Sequence, residues 1–168
     1  MPTPTWTIRP YHKDDAAGCG EVFRLAVLEG AASHYSETER RAWAARAASE
    51  ADWSQRLAPL HSVVAEGEPR EVVGFCSLDA KEAYLDLIFV LPVFRGSGLA
   101  DELLERTVDM ARALDLKYIT THASLVARSF FARHGWSEEG RNTVEIGDTS
   151  LLNFKMGRSL TVSQNARL

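Results

Sequence analysis

The chain has 168 residues, of which 45% are hydrophobic and 25% are charged, and this composition fits one globular domain with a core large enough to fold alone. Its formal net charge is -4 and no cluster of Lys or Arg offsets it, so we expect no nucleic-acid partner and no attraction to an acidic membrane surface. An anionic ligand would therefore have to be held by local hydrogen-bond donors.

The N-terminus and the cysteines bear on the cellular compartment. The segment Met1–Pro4 does not lead through basic residues into an apolar run, and no apolar stretch is long enough to span a bilayer. Cys19 and Cys76 have neither C-x-x-C spacing nor a nearby pair of histidines, which favours two reduced, buried thiols over a zinc site or a disulfide scaffold. We expect a cytoplasmic protein with no membrane partner and no metal.

The first quarter of the chain predicts one strand followed by two helices. The strand is Trp6–Pro10, and the first helix, capped by Asp14 or Asp15, carries an apolar stripe at helical spacing. The second helix opens at Ser36–Glu39, because Ser-x-x-Glu is the pattern of a capping box. After it, Asp52 is expected to cap a short turn.

The next segment predicts an antiparallel meander of three strands. His61–Glu66 and Val72–Leu78 flank Gly67–Arg70, which has the composition of a turn. A second turn at Lys81–Glu82 leads into Tyr84–Val90, which is short and rich in branched and aromatic residues, as buried strands are.

The second half of the chain alternates helices and strands. Leu99–Leu114 has an apolar stripe at helical spacing, Lys117–His122 favours a strand, and Leu125–His134 is a helix ended by the glycine that follows it. Asn142–Ile146 and Leu151–Met156 form a closing hairpin. A strand, a long helix and another strand in succession imply a parallel pair.

These elements together predict an α/β fold with a mixed, mostly antiparallel sheet. We expect a single domain over residues 1–157, followed by a polar tail over residues 158–168 that is too polar to fold on its own.

The stretch Val90–Ala100 joins the predicted buried strand to the long helix. A helix that begins at such a loop has unpaired N–H groups and the positive end of its dipole there, which suits a phosphate or pyrophosphate. Gly96 and Gly98 would let that ligand approach the backbone, although the same glycines would also suit a turn without a ligand. A dinucleotide site is disfavoured because Gly96–Asp101 lacks the third glycine of that motif.

Two signatures resemble those of the GNAT N-acetyltransferase superfamily. Arg95–Ala100 matches the family's Arg/Gln-x-x-Gly-x-Gly/Ala pattern, and Val90 and Pro92 stand where the family has Val-x-Pro. Ser124–Trp136 resembles the second signature, Asn/Ser-x-x-Ala-x-x-x-Tyr/Phe-x-x-x-Gly-Phe. The resemblance covers most of the chain, and the segment His34–Trp43 is similar to a small bacterial branch of the family.

The resemblance implies a GNAT fold with about four helices, whose sheet splays apart between its fourth and fifth strands to hold acetyl-CoA. It implies that the backbone of Phe89 and Val90 bonds the pantetheine arm and that the amides from Arg95 to Ala100 bond the pyrophosphate. The side chain of Arg95 either adds a phosphate contact or remains a solvated charge. The acetyl-CoA contacts expected in this way are Phe89, Val90, Arg95, Gly96, Ser97, Gly98, Leu99, Ala100, Ser124, Arg128 and Phe131.

The resemblance also implies transfer of acetyl to a primary amine. No cysteine lies near either signature, so we expect direct transfer in a ternary complex. An amine of the lysine type has a pKa near ~10.4 and attacks only when neutral, so a base is required. Asp86 is the first candidate, because it lies four residues before Val90 and so on the same strand face, and His122 is the second. A structural role remains open for each.

The proton donor and the acceptor contacts follow from the same resemblance. Phe131 stands where many members carry a tyrosine that protonates the departing thiolate, and phenylalanine cannot do so. Water or the hydroxyl of Ser124 would have to replace it, with Ser129 as a weaker substitute. His34 and Tyr35 lie in the region that covers the acceptor in the family, although Tyr35 would also suit packing beneath the second helix.

The missing tyrosine keeps a second function open, that of a non-catalytic module that binds acyl-CoA as a sensor. A nicotinamide-binding fragment is a further alternative. The acceptor is expected to be a small-molecule or peptide amine, and the resemblance allows a homodimer.

Overall fold

The computed structural model describes residues 4–46 and 49–161, and within them seven strands form one mixed sheet in the order β1-β2-β3-β4-β5-β7-β6. The α/β fold expected from the sequence is confirmed. The strands are β1 (Trp6–Pro10), β2 (His61–Gly67), β3 (Val72–Asp79), β4 (Tyr84–Val90), β5 (Tyr118–Ser124), β6 (Ser137–Ile146) and β7 (Thr149–Ser159), and the helices are α1 (Ala16–Leu28), α2 (Glu37–Ala44), α3 (Glu50–Leu57), α4 (Leu99–Ala113) and α5 (Arg128–Arg133).

Helices cover both faces of the sheet. On one face, α1 and α3 bury Phe23 and Trp53 against β2, β3 and β4. On the other face, α4 buries a stripe of leucines, and α5 adds Phe131 to the same core. Burial of such side chains is worth roughly 1.5–3 kcal/mol each, so the two cores fix the position of β4 between them.

The structure adds a helix where the sequence predicted only a turn. Ser49, not Asp52, caps α3: the Asp52 amide donates to the Ser49 hydroxyl over 3.1 Å, and the Ser49 amide donates to the Asp52 carboxylate over 3.1 Å. Ser-x-x-Asp thus forms the same reciprocal capping box as Ser-x-x-Glu. This helix brings the described total to five, against about four expected.

The parallel strands β4 and β5 touch at one end and then separate. Among the described residues, Tyr84 and Thr120 are the only pair in register between them. The Thr120 amide donates to the Ala83 carbonyl over 3.1 Å, and the Thr121 hydroxyl donates to the Leu85 carbonyl over 2.7 Å. Beyond Leu85 the strands diverge, and the expected splay is confirmed.

A β-bulge in β4 reverses the expected orientation of Asp86. Ser77 of β3 pairs with Leu87, and the next residue of β3 pairs with Leu85, so Asp86 has no partner in the register. Leu87 therefore packs in the core under α1, whereas Leu85 and Val90 pack in the core under α4. The prediction that Asp86 and Val90 share a face is wrong, because the extra residue shifts the strand's alternation by one.

The C-terminal end of the fold lies beyond the predicted boundary at residue 157. Strand β7 continues to Ser159, and Leu160 is buried, with its amide donating to the Lys117 carbonyl over 2.8 Å. Most of the predicted tail, residues 162–168, lies outside the described residues. No described helix has the length and apolar character needed to cross a bilayer.

Candidate functional site

Two adjoining clefts occupy the gap between β4 and β5. The larger, of about 450 Å³, extends from the gap to the first turn of α4. The smaller, of about 220 Å³, lies on the face covered by α1 and α2. Trp43, Phe89 and Ser124 line both clefts, so the two spaces meet at these three residues.

The glycine loop forms one end of the larger cleft. Gly96 and Gly98 have φ angles of 72° and 91°, a left-handed conformation that favours glycine. A Cβ atom on either would meet no described heavy atom within 4 Å, so the space in front of the loop is open. A ligand can therefore approach the backbone here.

Alternate amides of this loop are available to a ligand. The Ser97 amide donates to the Phe94 carbonyl over 3.2 Å, and the Leu99 amide donates to the Ser97 hydroxyl over 3.3 Å. Those of Gly96, Gly98 and Ala100 donate to no group within residues 4–46 and 49–161. The Leu99 side chain is wholly buried in the core.

Three of the amides from Arg95 to Ala100 that were expected to bond the pyrophosphate already have partners in the protein, and pyrophosphate binding by the others stays a prediction. The Arg95 amide is also used, since it donates to the Pro92 carbonyl over 3.2 Å. The larger cleft is lined by Gly96, Gly98 and Ala100 and not by Ser97 or Leu99. Among the described residues, the loop and the first turn of α4 leave four N–H groups free, those of Gly96, Gly98, Ala100 and Asp101. They lie at the N-terminus of a 15-residue helix, where the helix dipole also favours an anion.

The backbone of β4 offers further donors and acceptors to the gap. The Leu91 amide donates to the Val73 carbonyl of β3 over 2.9 Å, and alternate residues of a strand face alternate neighbours. Phe89 therefore bonds toward β3, while Ile88 and Val90 direct their N–H and C=O groups into the gap. Of the two backbone contacts expected, Val90 fits and Phe89 does not; Phe89 contributes its ring instead.

Arg95 lies beside the end of α1. A Cβ atom on Gly30 would be 2.7 Å from Nη2 of Arg95, so the guanidinium rests directly against that glycine. Arg95 lines the larger cleft and makes no ion pair within the described part of the chain. Its charge is thus available to a phosphate.

Two expected acetyl-CoA contacts, Phe131 and Arg128, do not line the larger cleft. Phe131 is 2% exposed and its ring centroid lies 5.0 Å from that of Trp136 in the core. The Arg128 guanidinium lies 4.1 Å from the Phe154 ring centroid and pairs with Glu138.

Neighbours on the same helix line the cleft in their place. Ser129 and Phe130 line it, as does Arg133, which pairs with Asp101 over 2.9 Å. Successive helix residues point about 100° apart, so packing of Phe131 against the core turns Phe130 toward the gap.

The smaller cleft has an aromatic wall. The Phe23 and Phe89 rings meet edge to face with centroids 5.0 Å apart, and Trp43 contacts both. Tyr35 also lines this cleft, but its hydroxyl donates to the Leu152 carbonyl and accepts from the Leu125 amide, each over 2.9 Å. A ligand in the smaller cleft can therefore contact the ring of Tyr35 more readily than its hydroxyl.

The two expected acceptor contacts are separated. Tyr35 lines the smaller cleft, whereas His34 is exposed, lines the larger cleft and lies 2.8 Å from the Ser33 hydroxyl through Nδ1. Ser124 lines both clefts, and its hydroxyl oxygen accepts from the Ala127 amide over 3.2 Å. Its own proton remains available for donation.

Tyr84 and His122 form a polar pair in the smaller cleft. The Tyr84 hydroxyl lies 2.9 Å from Nδ1 of His122. Loss of solvation, and secondarily the positive charge of Lys155, lowers the pKa of His122. Loss of solvation, with a smaller contribution from Asp86, raises the pKa of Tyr84. Both shifts favour the uncharged form of the group.

Sequence reasoning missed Tyr84. It lies two residues before Asp86, so its position on a strand could have placed it near the site. Its pairing with His122 depends on the parallel register of β4 and β5, which begins at Tyr84 and Thr120.

Asp86 lines the same cleft but faces a cation. The Arg56 guanidinium lies 3.5 Å from the Asp86 carboxylate, and the two side chains are 35% and 25% exposed. A role for Asp86 as proton acceptor would require this pair to open. Asp86 and His122 therefore share a cleft in different electrostatic settings.

The cysteines and acidic groups do not suggest other chemistry. Cys19 and Cys76 are buried free thiols, and burial raises the pKa of each to about 12. Within residues 4–46 and 49–161, no three His, Cys, Asp or Glu side chains come together as a metal site would require.

Comparison with known proteins places the chain among acetyltransferases. The model of the family described as "Acetyltransferase (GNAT) domain" matches residues 31–156. The curated "Uncharacterized N-acetyltransferase YafP" of Escherichia coli K12 is 32% identical over 151 residues, which cover 89% of this chain and 93% of that protein.

Solved structures share the fold. A GCN5-related N-acetyltransferase from Rhodopseudomonas palustris matches with a TM-score of 0.86 and 32% identity, over 95% of this chain and 98% of that one. The PaiA N-acetyltransferase of Thermoplasma acidophilum, solved in complex with coenzyme A, matches with a TM-score of 0.77 and 17% identity, over 92% of this chain and 99% of that one.

Proposed function

Because this chain belongs to the GNAT family of N-acetyltransferases, we propose that it moves an acetyl group from acetyl-CoA directly to a primary amine of a small-molecule or peptide acceptor. The observation that carries the proposal is the meeting of two clefts at Trp43, Phe89 and Ser124. One cleft has a cradle for phosphate and the other has proton acceptors. Their junction is where a thioester and an amine would react.

Acetyl-CoA is proposed to lie in the larger cleft. Its pyrophosphate would accept hydrogen bonds from the free amides of Gly96, Gly98 and Ala100, each bond to a charged group being worth roughly 1.5–3 kcal/mol. The pantetheine arm would pair with the exposed backbone of Val90, as an added strand does at a sheet edge. The coenzyme A in the Thermoplasma relative supports this class of ligand.

Acetyl transfer is proposed to occur without an acyl-enzyme. The thiolate is the nucleophilic form of cysteine, and burial raises the pKa of Cys19 and Cys76 to about 12. The acceptor amine would attack the thioester carbonyl, so that a C–N bond forms and the C–S bond breaks. Buried reduced thiols also fit a reducing compartment, and we propose that the protein acts in the cytoplasm.

His122, partnered by Tyr84, is the proposed proton acceptor. It lies two residues before Ser124 on β5 and so on the same strand face, which places it near the junction of the clefts. The ammonium group of the acceptor would lose a proton to His122, directly or through water, before the amine attacks. The departing thiolate is a good leaving group, because the pKa of a thiol is near ~8.5. It would take a proton from water or from the hydroxyl of Ser124.

The alternative function, a sensor that binds acyl-CoA without turnover, draws support from Phe131. This residue stands where a tyrosine is expected and packs in the core at 2% exposure. The test is to incubate the protein with acetyl-CoA and a panel of primary amines while following free thiol and acetylated product. Turnover with any amine supports the enzyme, and binding of acetyl-CoA without turnover across the panel supports the sensor.

A further inference from the structure

The charges in the smaller cleft point to the class of acceptor, given the function proposed above. We propose that the acceptor is a small zwitterion of the amino-acid class, in which Arg46 and Arg56 bind the carboxylate of a primary amine. Both arginines line the cleft.

The cleft carries an excess of positive charge in a protein of the opposite sign. The charged residues that line it are Arg46, Arg56 and Asp86, so its lining carries two cations and one anion. The whole chain has a net charge of -4. Because the local and overall signs differ, the cleft favours an anionic group that the rest of the surface would repel.

Arg46 is the less constrained of the two arginines. Its backbone amide donates to the Trp43 carbonyl over 3.2 Å, which fixes the chain just past the end of α2. Its side chain makes no hydrogen bond or ion pair within residues 4–46 and 49–161. A guanidinium at the rim of a cleft with all five N–H donors unused is suited to two-point binding of a carboxylate.

Arg56 is held in place but keeps spare donors. Its guanidinium lies 5.8 Å from the Trp53 ring centroid and 3.5 Å from the Asp86 carboxylate. That separation is at the long limit of a hydrogen bond, so the pair leaves most of the guanidinium's N–H groups available. Asp86 then serves to orient Arg56 toward the cleft.

The size of the cleft fits a small zwitterion. Its volume of about 220 Å³ is below the roughly 300–1,000 Å³ typical of pockets for drug-sized ligands. The arginines would hold the carboxylate, and Tyr84 and His122 would face the ammonium group. The amine then lies toward Ser124 and the thioester.

The experiment compares matched acceptors that differ only at the carboxylate. The protein is given acetyl-CoA with each common amino acid, with the corresponding amino acid amide and with the decarboxylated amine, and product is measured by mass. We expect kcat/KM to be at least about 10-fold higher for an amino acid than for its amide, a difference of about 1.4 kcal/mol. Equal rates for the three forms would overturn the proposal and leave the acetyltransferase function standing.

Arginine variants test the contact itself. Arg46→Gln should raise KM for the preferred amino acid about 10-fold or more, leave KM for its amide unchanged and leave the Kd of acetyl-CoA unchanged. Arg41→Gln is the matched control, because Arg41 lies on α2 and pairs with Glu37 at the surface. An unchanged KM in Arg46→Gln would contradict the proposal. Failure of the wild-type protein to bind acetyl-CoA or to acetylate any amine would instead remove the proposed function, and this inference with it.

Discussion

At the scale of single residues, the pair formed by Tyr84 and His122 is the feature that distinguishes the two candidate bases. Within the part of the chain that the structure describes, His122 pairs with no carboxylate, and its Nδ1 shares a hydrogen bond of 2.9 Å with the Tyr84 hydroxyl. Asp86 meets a guanidinium. A neutral imidazole beside a cleft can take a proton without first breaking an ion pair, and this favours His122.

The pH dependence of activity tests this assignment. Loss of solvation lowers the pKa of His122, so kcat/KM should fall on the acid side with an apparent pKa below about 6.5. His122→Gln should remove this acid limb and lower kcat/KM by about 100-fold or more, the usual contribution of a general base. The measurement is the kcat/KM profile from pH 5 to pH 9.

Asp86→Asn is the matched comparison for that profile. It should keep the acid limb, because the carboxylate is placed to orient Arg56. Loss of the limb in Asp86→Asn with its retention in His122→Gln would assign the base to Asp86 and contradict the account.

Single residues show where the sequence was sufficient and where it was not. The role of Gly96 and Gly98 could be predicted, because few other residues adopt a positive φ and leave the backbone open to a ligand. The reversed face of Asp86 could not, because a bulge depends on the count of residues in β3 as well as in β4. Phe131 packs in the core and Phe130 lines the cleft in its place, because the rotation of a six-residue helix is set by packing against Trp136.

At the scale of elements, α2 sets the position of the wall between the clefts. Trp43 lies on this helix and lines both clefts. Arg40 joins the helix to the end of α1, with its guanidinium donating to the Leu28 carbonyl, and to the Tyr35 carbonyl over 3.1 Å. The eight residues of α2 are too few for a stable isolated helix, so caps and these contacts hold it.

Removal of the α2 cap should lower stability. Ser36 accepts from the Glu39 amide over 3.1 Å, and its own amide donates to the Glu39 carboxylate over 3.0 Å. Ser36→Ala should reduce the free energy of unfolding by about 1 kcal/mol, as measured by urea denaturation. Thr38→Ala, at an exposed position of the same helix, should change it by less than about 0.5 kcal/mol. If Ser36→Ala and Thr38→Ala lowered the free energy of unfolding equally, a stabilising role of the capping box would be contradicted.

Element boundaries were predictable where a local signal exists. The Ser-x-x-Glu box marked the start of α2, and the Gly-Ser-Gly run marked the start of α4. Helix α3 was not predicted, because its capping box has aspartate where the usual pattern has glutamate or glutamine. Strand β7 extends past its predicted end because pairing with β5, and not its own composition, carries it to Ser159.

At the scale of the whole molecule, the sheet consists of two halves joined at a narrow contact. Strands β1 to β4 form one half and β5 to β7 the other, and Tyr84 with Thr120 is the described pair in register between them. The proposed ligand lies in the gap and would contact both halves. Its binding should therefore stabilise the entire fold and not one segment alone.

Thermal unfolding tests this coupling. At a concentration 100 times its Kd, acetyl-CoA should stabilise the fold by about 2.7 kcal/mol, and each kcal/mol corresponds to roughly 2–4 °C at this chain length. A rise in Tm of about 5–11 °C is expected by calorimetry. Acetate and a nicotinamide dinucleotide serve as controls and should produce no shift, and a shift with the dinucleotide alone would contradict the proposed ligand.

Part of the strand order was predictable, because the turns dictate the meander of β2, β3 and β4 and the long helix dictates a parallel pair of β4 and β5. The positions of β1 beside β2 and of β7 between β5 and β6 were not predicted. The size and charge of the smaller cleft could not be predicted. They depend on Arg46, Arg56 and Tyr84, which come from three separate parts of the chain and line one cleft only in the folded protein.

The most direct test of the account measures acetyl-CoA binding to variants of Ala100 by isothermal titration calorimetry. Ala100 is the second residue of α4 and lines the larger cleft, and its amide is one of those proposed to bond the pyrophosphate. Ala100→Glu adds a negative charge that the first turn of a helix tolerates but that a nearby pyrophosphate would repel. A like charge about 5 Å away costs roughly 3 kcal/mol at an effective dielectric constant of about 20.

Ala100→Gln separates charge from size in the same measurement, since the two side chains have nearly the same shape. Wild-type protein should bind acetyl-CoA, and Ala100→Glu should bind it at least about 10-fold more weakly than Ala100→Gln, a difference of about 1.4 kcal/mol. Equal affinity of the two variants, or no binding by the wild-type protein, would contradict the claim that the first turn of α4 holds the pyrophosphate of acetyl-CoA.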